Sequence, residues 1–422
     1  MFDTIVTAPG SLGDVNPMIA IARGLHNRGR KVVVAAAERY LPLIERAGLA
    51  TRVLVTEPVF RELVEDPRLW HPRKGLEVVF GSIQQAFMED HFRWLSELYR
   101  PGQTLIVSHL LDFTSRILRD LHADLRLCTV VPAPALLRSL DQPPRLTAWG
   151  IETKLPKRML DFAYRQADRI LDKLAAPAIN RLRSQVGLPP VERIMHRWWA
   201  SPDMSLALFP EWFSIPSHDH PAGLQCVGFP LADSGDLLDT AGEQLVDEAL
   251  APLAGRRPIV FAPGSAHARA QPFLEAAARS CQLLQLPGVL LSSVSSQFPT
   301  DLPSGVITAN YLPFSQLLNR SLAIVHHGGV GTTSQALAAG IPQVVVPMAF
   351  DQFDNAARVT RLGCGSWLPM TRVSGHKLAN HLRRALTNPQ VSTQAQLMQQ
   401  KMMTSRSSPT ELADAILRHF AL

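Results

Sequence analysis

Short apolar runs rich in Val, Ile and Ala alternate along the chain with stretches whose apolar residues recur at helical spacing. The runs predict strands at Thr4–Ala8, Lys31–Ala36, Thr104–Ser108, Leu127–Val131 and Met204–Phe209 in the first half. In the second half they predict Ile259–Ala262, Gly288–Ser292, Val306–Ala309, Ala323–His326 and Gln343–Val346. Helical patterns such as Met18–Arg28 and Ser334–Ala339 lie between them. Near-continuous apolar strands separated by helices imply parallel sheets covered on both faces, an α/β chain. The Pro-rich segment Pro210–Pro230 divides the elements into two sets of about 200 residues. A run of helices and prolines, Pro132–Trp199, interrupts the first set. The expected domains are therefore 1–215, with a helical insertion at about 133–200, and 216–405, followed by a terminal segment 406–422.

Composition removes several classes. Of 422 residues, 46% are apolar and 18% charged, which excludes a disordered chain. Cys128, Cys226, Cys281 and Cys364 are far apart, so neither a zinc ribbon nor a disulfide scaffold is expected, and the protein should be reduced and intracellular. The N-terminus has an acid at position 3 and a turn at Pro9-Gly10, where a signal peptide would have a basic then an apolar stretch. No apolar run reaches the roughly 20 residues of a spanning helix.

The formal charge of +6 is unevenly placed, with ten Lys/Arg against five acids in residues 151–200. Arg158, Arg165, Arg169 and Lys173, with Phe162 among them, fall on one side of a helix. Leu160, Ala163, Tyr164, Ala167, Leu171 and Leu174 fall on the other. Such a pattern favours a helix packed through its apolar face with a solvated Arg face over a membrane-facing surface.

Several motifs stand at strand ends, where open α/β sheets bind ligands. Pro9-Gly10-Ser11-Leu12-Gly13-Asp14-Val15-Asn16-Pro17 offers one carboxylate. Asp14 is either a cap for a helix beginning near Pro17 or a catalytic group. His326-His327-Gly328-Gly329-Val330-Gly331-Thr332-Thr333 follows a strand and opens a helix. Its glycines let backbone N–H groups approach an anion, the helix start near Thr332 aims more of them at the same point, and His327, Thr332 and Thr333 add side-chain donors. It lacks the Gly-Lys-Ser/Thr of a Walker loop. On the next strand end, Asp351-Gln352 pairs a carboxylate with an amide, a combination that holds vicinal hydroxyls. Tyr311, after another strand, offers an aromatic face for a base, and Gly264-Ser265 ends a further one.

The order Tyr311-Leu312-Pro313, His326-His327-Gly328-Gly329-Val330-Gly331-Thr332, Pro342, Pro347 and Asp351-Gln352 resembles the nucleotide-sugar motif of family 1 glycosyltransferases, which have the GT-B fold. The opening Gly10-Ser11-Leu12-Gly13-Asp14 looks like their bacterial and sterol-glycosylating branch. Asp66-Pro67-Arg68-Leu69-Trp70-His71-Pro72, Gly228-Phe229-Pro230-Leu231 and Phe350-Asp351-Gln352-Phe353-Asp354-Asn355-Ala356 resemble, more narrowly, the rhamnosyltransferase catalytic subunit of rhamnolipid biosynthesis. The resemblance implies two Rossmann-like domains facing across a cleft, with the acceptor on the N-terminal one, the nucleotide sugar on the C-terminal one and the last helix returning to the first.

It also implies roles. Asp14 takes the proton of the acceptor hydroxyl. His327, Gly329, Gly331 and Thr332 bind the diphosphate, which Ser265 also reaches. Asp351 and Gln352 bind the sugar, and Tyr311 flanks the base. Gln335 stands where many members have Glu on the ribose, which keeps a uridine donor open beside deoxythymidine. Trp70, His109 and Trp149 are candidates on the acceptor side, and Phe80, Phe87, Phe92, Trp198 and Trp199 would line an apolar cleft or simply fill a core. The implied reaction is inverting rhamnosyl transfer to the hydroxyl of a 3-(3-hydroxyalkanoyloxy)alkanoate, with no metal or other cofactor. A UDP-glucose-dependent enzyme and a non-catalytic sugar- or lipid-binding protein are the alternatives. The chain should be cytoplasmic. Contact with the inner face of the cytoplasmic membrane and with the acyltransferase that makes the acceptor stay open, and nucleic acid is not expected. His218-Asp219-His220 reads as a surface turn before it reads as a metal site.

Overall fold

A computed structural model describes residues 2–71, 74–147, 155–231, 240–264 and 270–422. The chain forms two compact units. The first comprises residues 1–144, 149–230 and 407–422, and the second 145–148 and 231–406. The first unit extends to Pro230, fifteen residues past the boundary expected at 215, because Leu224–Cys226 joins its sheet beside Ser205–Ala207.

The sheet of the first unit holds β1 (Thr4–Ala8), β2 (Val32–Ala37), β3 (Ala50–Val55), β4 (Leu105–His109), β5 (Arg126–Val131), β6 (Met204–Ala207) and β7 (Leu224–Cys226) in the order β3-β2-β1-β4-β5-β6-β7. The second holds β8 (Ile259–Ala262), β9 (Gly288–Leu291), β10 (Val306–Ala309), β11 (Ala323–His326), β12 (Gln343–Val345) and β13 (Gly365–Trp367) in the order β10-β9-β8-β11-β12-β13. Neighbouring strands are parallel throughout, for example Ile5 beside Val33 and Ile106, and Val325 beside Phe261 and Val344. The inner strands are buried along their whole length, as a sheet covered by helices on both faces requires.

Seven helices matter below: α1 (Leu12–Asn27), α2 (Gln84–Leu98), α3 (Phe113–Leu121), α4 (Lys157–Gln185), α5 (Val330–Ala339), α6 (Gln352–Arg361) and α7 (Pro409–Phe420). Two begin earlier than the pattern suggested. α1 starts at Leu12, capped from Ser11, and carries Pro17 inside it, so Asp14 sits in its first turn and is not its cap residue. α5 starts at Val330, with Gly329 as the cap residue.

In each sheet the strand order reverses direction once, between β1 and β4 and between β8 and β11. At such switch points the following loops diverge and leave a crevice at the strand ends. Asp14 follows β1 and His109 ends β4, while Gly264 and His327 follow β8 and β11.

Candidate functional site

In the first unit, β1 ends at Ala8 and the chain turns through Gly10, at φ +131°, into α1. A Cβ on Gly10 would lie 2.5 Å from Asp14 Oδ2, so glycine is what lets the carboxylate fold back over the turn. Oδ2 accepts from Ser11 N at 2.9 Å and from Ser11 Oγ at 3.1 Å. Oδ1 lies 3.4 Å from His109 Nε2. His109 is buried, and its Nδ1 accepts the Leu111 N–H at 3.2 Å. With Nδ1 an acceptor, the ring proton resides on Nε2 and faces Asp14. Burial acts to raise the Asp14 pKa, but the interaction with His109 and the two Ser11 bonds outweigh it and hold the carboxyl below its ordinary value. The side chain retains 31% exposure. Asp14 is thus an ionised, oriented carboxylate open to solvent. The nearby Tyr40 hydroxyl is pushed up to about 12, chiefly by burial, and stays protonated at neutral pH.

A buried support lies on the same loop. Asp112 caps α3 through Thr114 N at 3.0 Å and Ser115 N at 3.2 Å, and its other oxygen accepts from Thr7 Oγ1 at 2.6 Å and Ser115 Oγ at 2.5 Å. His91 of α2 stands 3.5 Å away. Burial works against the Asp112 carboxylate, yet His91 and the hydroxyls bring its pKa down to about 2. These bonds tie the end of β1 to the start of α3 and so fix the loop that carries His109.

In the second unit the turn after β11 is built around its two histidines. His326 is fully buried. Its Nδ1 accepts the Gly328 N–H at 3.1 Å, and its Nε2 meets Gln343 Oε1 at 3.0 Å. Gly328 has φ +96°, and a Cβ there would lie 2.7 Å from Val345 Cγ1 and 3.0 Å from the Gln352 carbonyl. The His327 ring lies between two glycines: a Cβ on Gly329 would be 2.5 Å from Nε2, and one on Gly264 would be 3.1 Å from the ring. A Cβ on Gly331 would meet no protein atom within 4 Å. α5 follows at once, its first N–H groups unpaired within the helix. Thr332 is partly exposed in its first turn. Thr333, by contrast, is buried and donates to the Gly329 carbonyl at 3.0 Å, so its hydroxyl belongs to the helix and not to the site.

Asp351 and Gln352 come from the loop after β12, which passes through Phe350 at φ +57°. Gln352 Oε1 accepts from Met348 N at 2.8 Å and Ala349 N at 3.2 Å, which leaves its amide nitrogen as the donor end. Asn355 joins the two loops: its Nδ2 reaches the Gly328 carbonyl and Asp351 Oδ2, both at 2.8 Å. The sequence pattern assigns no separate role to Asn355 or His326. The i, i+4 spacing of Asp351 and Asn355 on one helical face was the available signal for Asn355. Asp354, on the same turn, is paired with Arg358 at 2.6 Å and accepts the Arg145 N–H at 3.0 Å.

The other candidates scatter. Tyr311 is 38% exposed after the edge strand β10. Gln335 is buried and donates to the Leu231 carbonyl at 2.9 Å. Trp70 is half-buried in a turn of the first unit. Ser265 and Trp149 lie outside the described residues. Phe80, Phe87, Trp198 and Trp199 are core residues, with Phe113 stacked on Phe80 and tilted against Trp198, and they do not form an open apolar lining. His218 and Asp219 do approach Asp141, with ligand atoms within 4.8 Å of one another, but Lys157 Nζ already neutralises Asp141 at 2.5 Å and His220 is not in the group.

Residues 289–418 match the family model for the erythromycin biosynthesis protein CIII-like C-terminal domain. Over 94% of this chain and 93% of its own length, the O-mycaminosyltylonolide 6-deoxyallosyltransferase of Streptomyces fradiae is 26% identical. The solved glycosyltransferase of kitacinnamycin superposes with a TM-score of 0.74 at 19% identity, over 99% of each chain. The spinosyn rhamnosyltransferase complexed with thymidine diphosphate gives 0.66 at 20% identity, over 98% of this chain and 99% of that one. The protein is a glycosyltransferase with the GT-B fold. Antibiotic glycosyltransferases are among the proteins it resembles over nearly its whole length. Among the described residues, no helix is long and apolar enough to cross a membrane.

Proposed function

We propose that the protein moves a rhamnosyl group from dTDP-L-rhamnose onto the hydroxyl of a 3-(3-hydroxyalkanoyloxy)alkanoate, with inversion at the anomeric carbon. The observation that carries donor binding is the turn after β11. It sets His327, the Gly329–Gly331 amides and the N-terminus of α5 at one strand end, and Asn355 bonds it to Asp351. An array of N–H donors at a helix start suits a diphosphate, and it stabilises the charge that develops on the leaving group. Gly331, whose Cβ position meets no protein atom, leaves room for close approach from outside. Asp14, ionised and oriented by His109, accepts the proton of the attacking hydroxyl. No step of this scheme calls on a metal.

A deoxyhexose donor is supported by the deoxyallosyl and rhamnosyl transferases among the relatives, one of them bound to thymidine diphosphate. The lipid acceptor rests on the resemblance of the Asp66–Pro72, Gly228–Leu231 and Phe350–Ala356 segments. The test is incubation with dTDP-rhamnose and, separately, UDP-glucose, each with and without the hydroxyacyl lipid. Release of nucleoside diphosphate that depends on both dTDP-rhamnose and the lipid is expected. Release from UDP-glucose alone among the donors would replace rhamnose by glucose. Release without acceptor would make the enzyme a hydrolase, and donor binding without turnover would make it a sugar-binding protein.

A further inference from the structure

We infer that the outer face of α4 is a docking surface for an anionic lipid bilayer. The helix runs for 29 residues. Leu160, Asp168, Ala175, Ile179 and Leu182 are buried on its inner side. On the outer side Met159 is 56% exposed, Phe162 64% and Ile170 60%, three of the most exposed large apolar side chains among the described residues. Arg158, Arg165, Arg169 and Lys173 are exposed among them. At about 100° per residue these seven side chains fall within one arc of less than half the helix circumference.

The charge of that arc stays positive because two of the three acids of α4 are engaged off it and the third, Asp161, offsets only Arg165. Asp161 pairs with Arg138 and Arg165. Asp168 is 7% exposed and accepts from Arg193 at 3.2 Å. The Asp172 carboxylate accepts the N–H groups of Arg193 at 2.6 Å and Ile194 at 3.0 Å. Arg158 and Lys173 form no ion pair among the described residues. Large apolar side chains interleaved with long cations suit the boundary between lipid headgroups and acyl chains, where the rings and methylenes enter the apolar layer and the cations reach phosphates. A symmetric contact with a second copy would oppose Arg to Arg. A polyanion without an apolar layer would leave Met159, Phe162 and Ile170 in water. The bilayer satisfies both halves of the surface.

Co-sedimentation of the full chain with phosphatidylglycerol/phosphatidylcholine vesicles, and with phosphatidylcholine alone, tests this. Binding to the anionic vesicles that weakens with salt is expected. The combined change Arg158→Glu, Arg169→Glu and Lys173→Glu should lower the partition coefficient at least tenfold, while Lys401→Glu in the second unit leaves it unchanged. Phe162→Ser with Ile170→Ser should lower it severalfold. As a readout that does not depend on the reversed chain folding, Phe162→Cys carrying an environment-sensitive fluorophore should shift to the blue on anionic vesicles only. Equal binding to both vesicle types, no blue shift, or a concentration-dependent dimer abolished by Phe162→Ser would overturn the inference.

Discussion

Asp14 is held by both of its oxygens, one by Ser11 at the start of α1 and one facing His109. Asp14 therefore completes the capping box of α1 and still presents an oxygen to His109, so a place in the cap does not compete with a role as base. Asp14→Asn keeps the shape and loses the proton acceptor, so kcat should fall by about 10²–10⁴-fold. Donor binding followed by calorimetry should change less than twofold, and retained turnover would remove Asp14 from the role of base. His109→Ala tests the orientation. His109 is what most lowers the Asp14 pKa against the effect of burial. Without it the carboxyl protonates at higher pH, and the acid limb of the kcat/KM profile should move upward. An unmoved limb would show that His109 does not face the ionising group. Sequence could show Asp14 after a strand and His109 after another, but not their contact across 95 positions, which exists only because β1 and β4 are neighbours.

At the scale of elements, the strands buried along their length and the edge strand β10 are plain in the sequence, whereas three other edge strands are not. β3 (Ala50–Val55), β7 (Leu224–Cys226) and β13 (Gly365–Trp367) went unseen because each is an edge strand with half-exposed residues and no long apolar run. The glycine turn was legible as a group but not residue by residue, since the same letter answers different needs. Gly329→Ala puts a Cβ 2.5 Å from His327 Nε2, displaces the ring and should raise the donor KM about tenfold or more. Gly331→Ala meets no protein atom. It should leave the melting temperature unchanged or raise it slightly, since Ala favours a helix over Gly by about 1 kcal/mol, yet still weaken donor binding. Equal effects on binding and stability would show that both glycines serve only packing. Gly24 inverts the usual rule for helices: a Cβ there would lie 1.9 Å from the Pro409 carbonyl of α7. Gly24→Ala should therefore destabilise the protein by about 1–3 kcal/mol in urea unfolding, through overpacking.

Over the whole molecule, the two sets of elements and the uneven charge are legible in the residues themselves, whereas the return of the last helix to the first unit, which the structure shows, follows only from the resemblance, because it is a long-range event. α7 packs on α1, Arg28 pairs with Asp414 at 2.6 Å, and nothing local in 409–420 announces either contact. Stability against pH also belongs to this scale, because it compares the whole fold with the open chain. His326 is buried, and that burial, with the charge of His327 adding to it and the Gln343 bond opposing, lowers its pKa to about 3. An unfolded chain protonates the same residue near 6.5. Between these values the unfolded state binds the extra proton, so stability present above pH 6.5 is lost as pH falls, at about 1.4 kcal/mol per unit from this residue. His196 and His381 are shifted in the same direction by burial and add to the slope. The depressed carboxylates act in a lower window: Asp112, at about 2, gives up its contribution only as pH falls below about 4. Urea unfolding at pH 7.5, 6.5 and 5.5 separates the two. His326→Asn should be less stable than the parent at pH 7.5, where it disturbs the bonds to Gly328 and Gln343. Its stability should fall less steeply between 6.5 and 5.5, by about 1 kcal/mol per unit. Equal slopes in the two proteins would mean that His326 takes up its proton inside the fold, and that the turn after β11 opens to admit it.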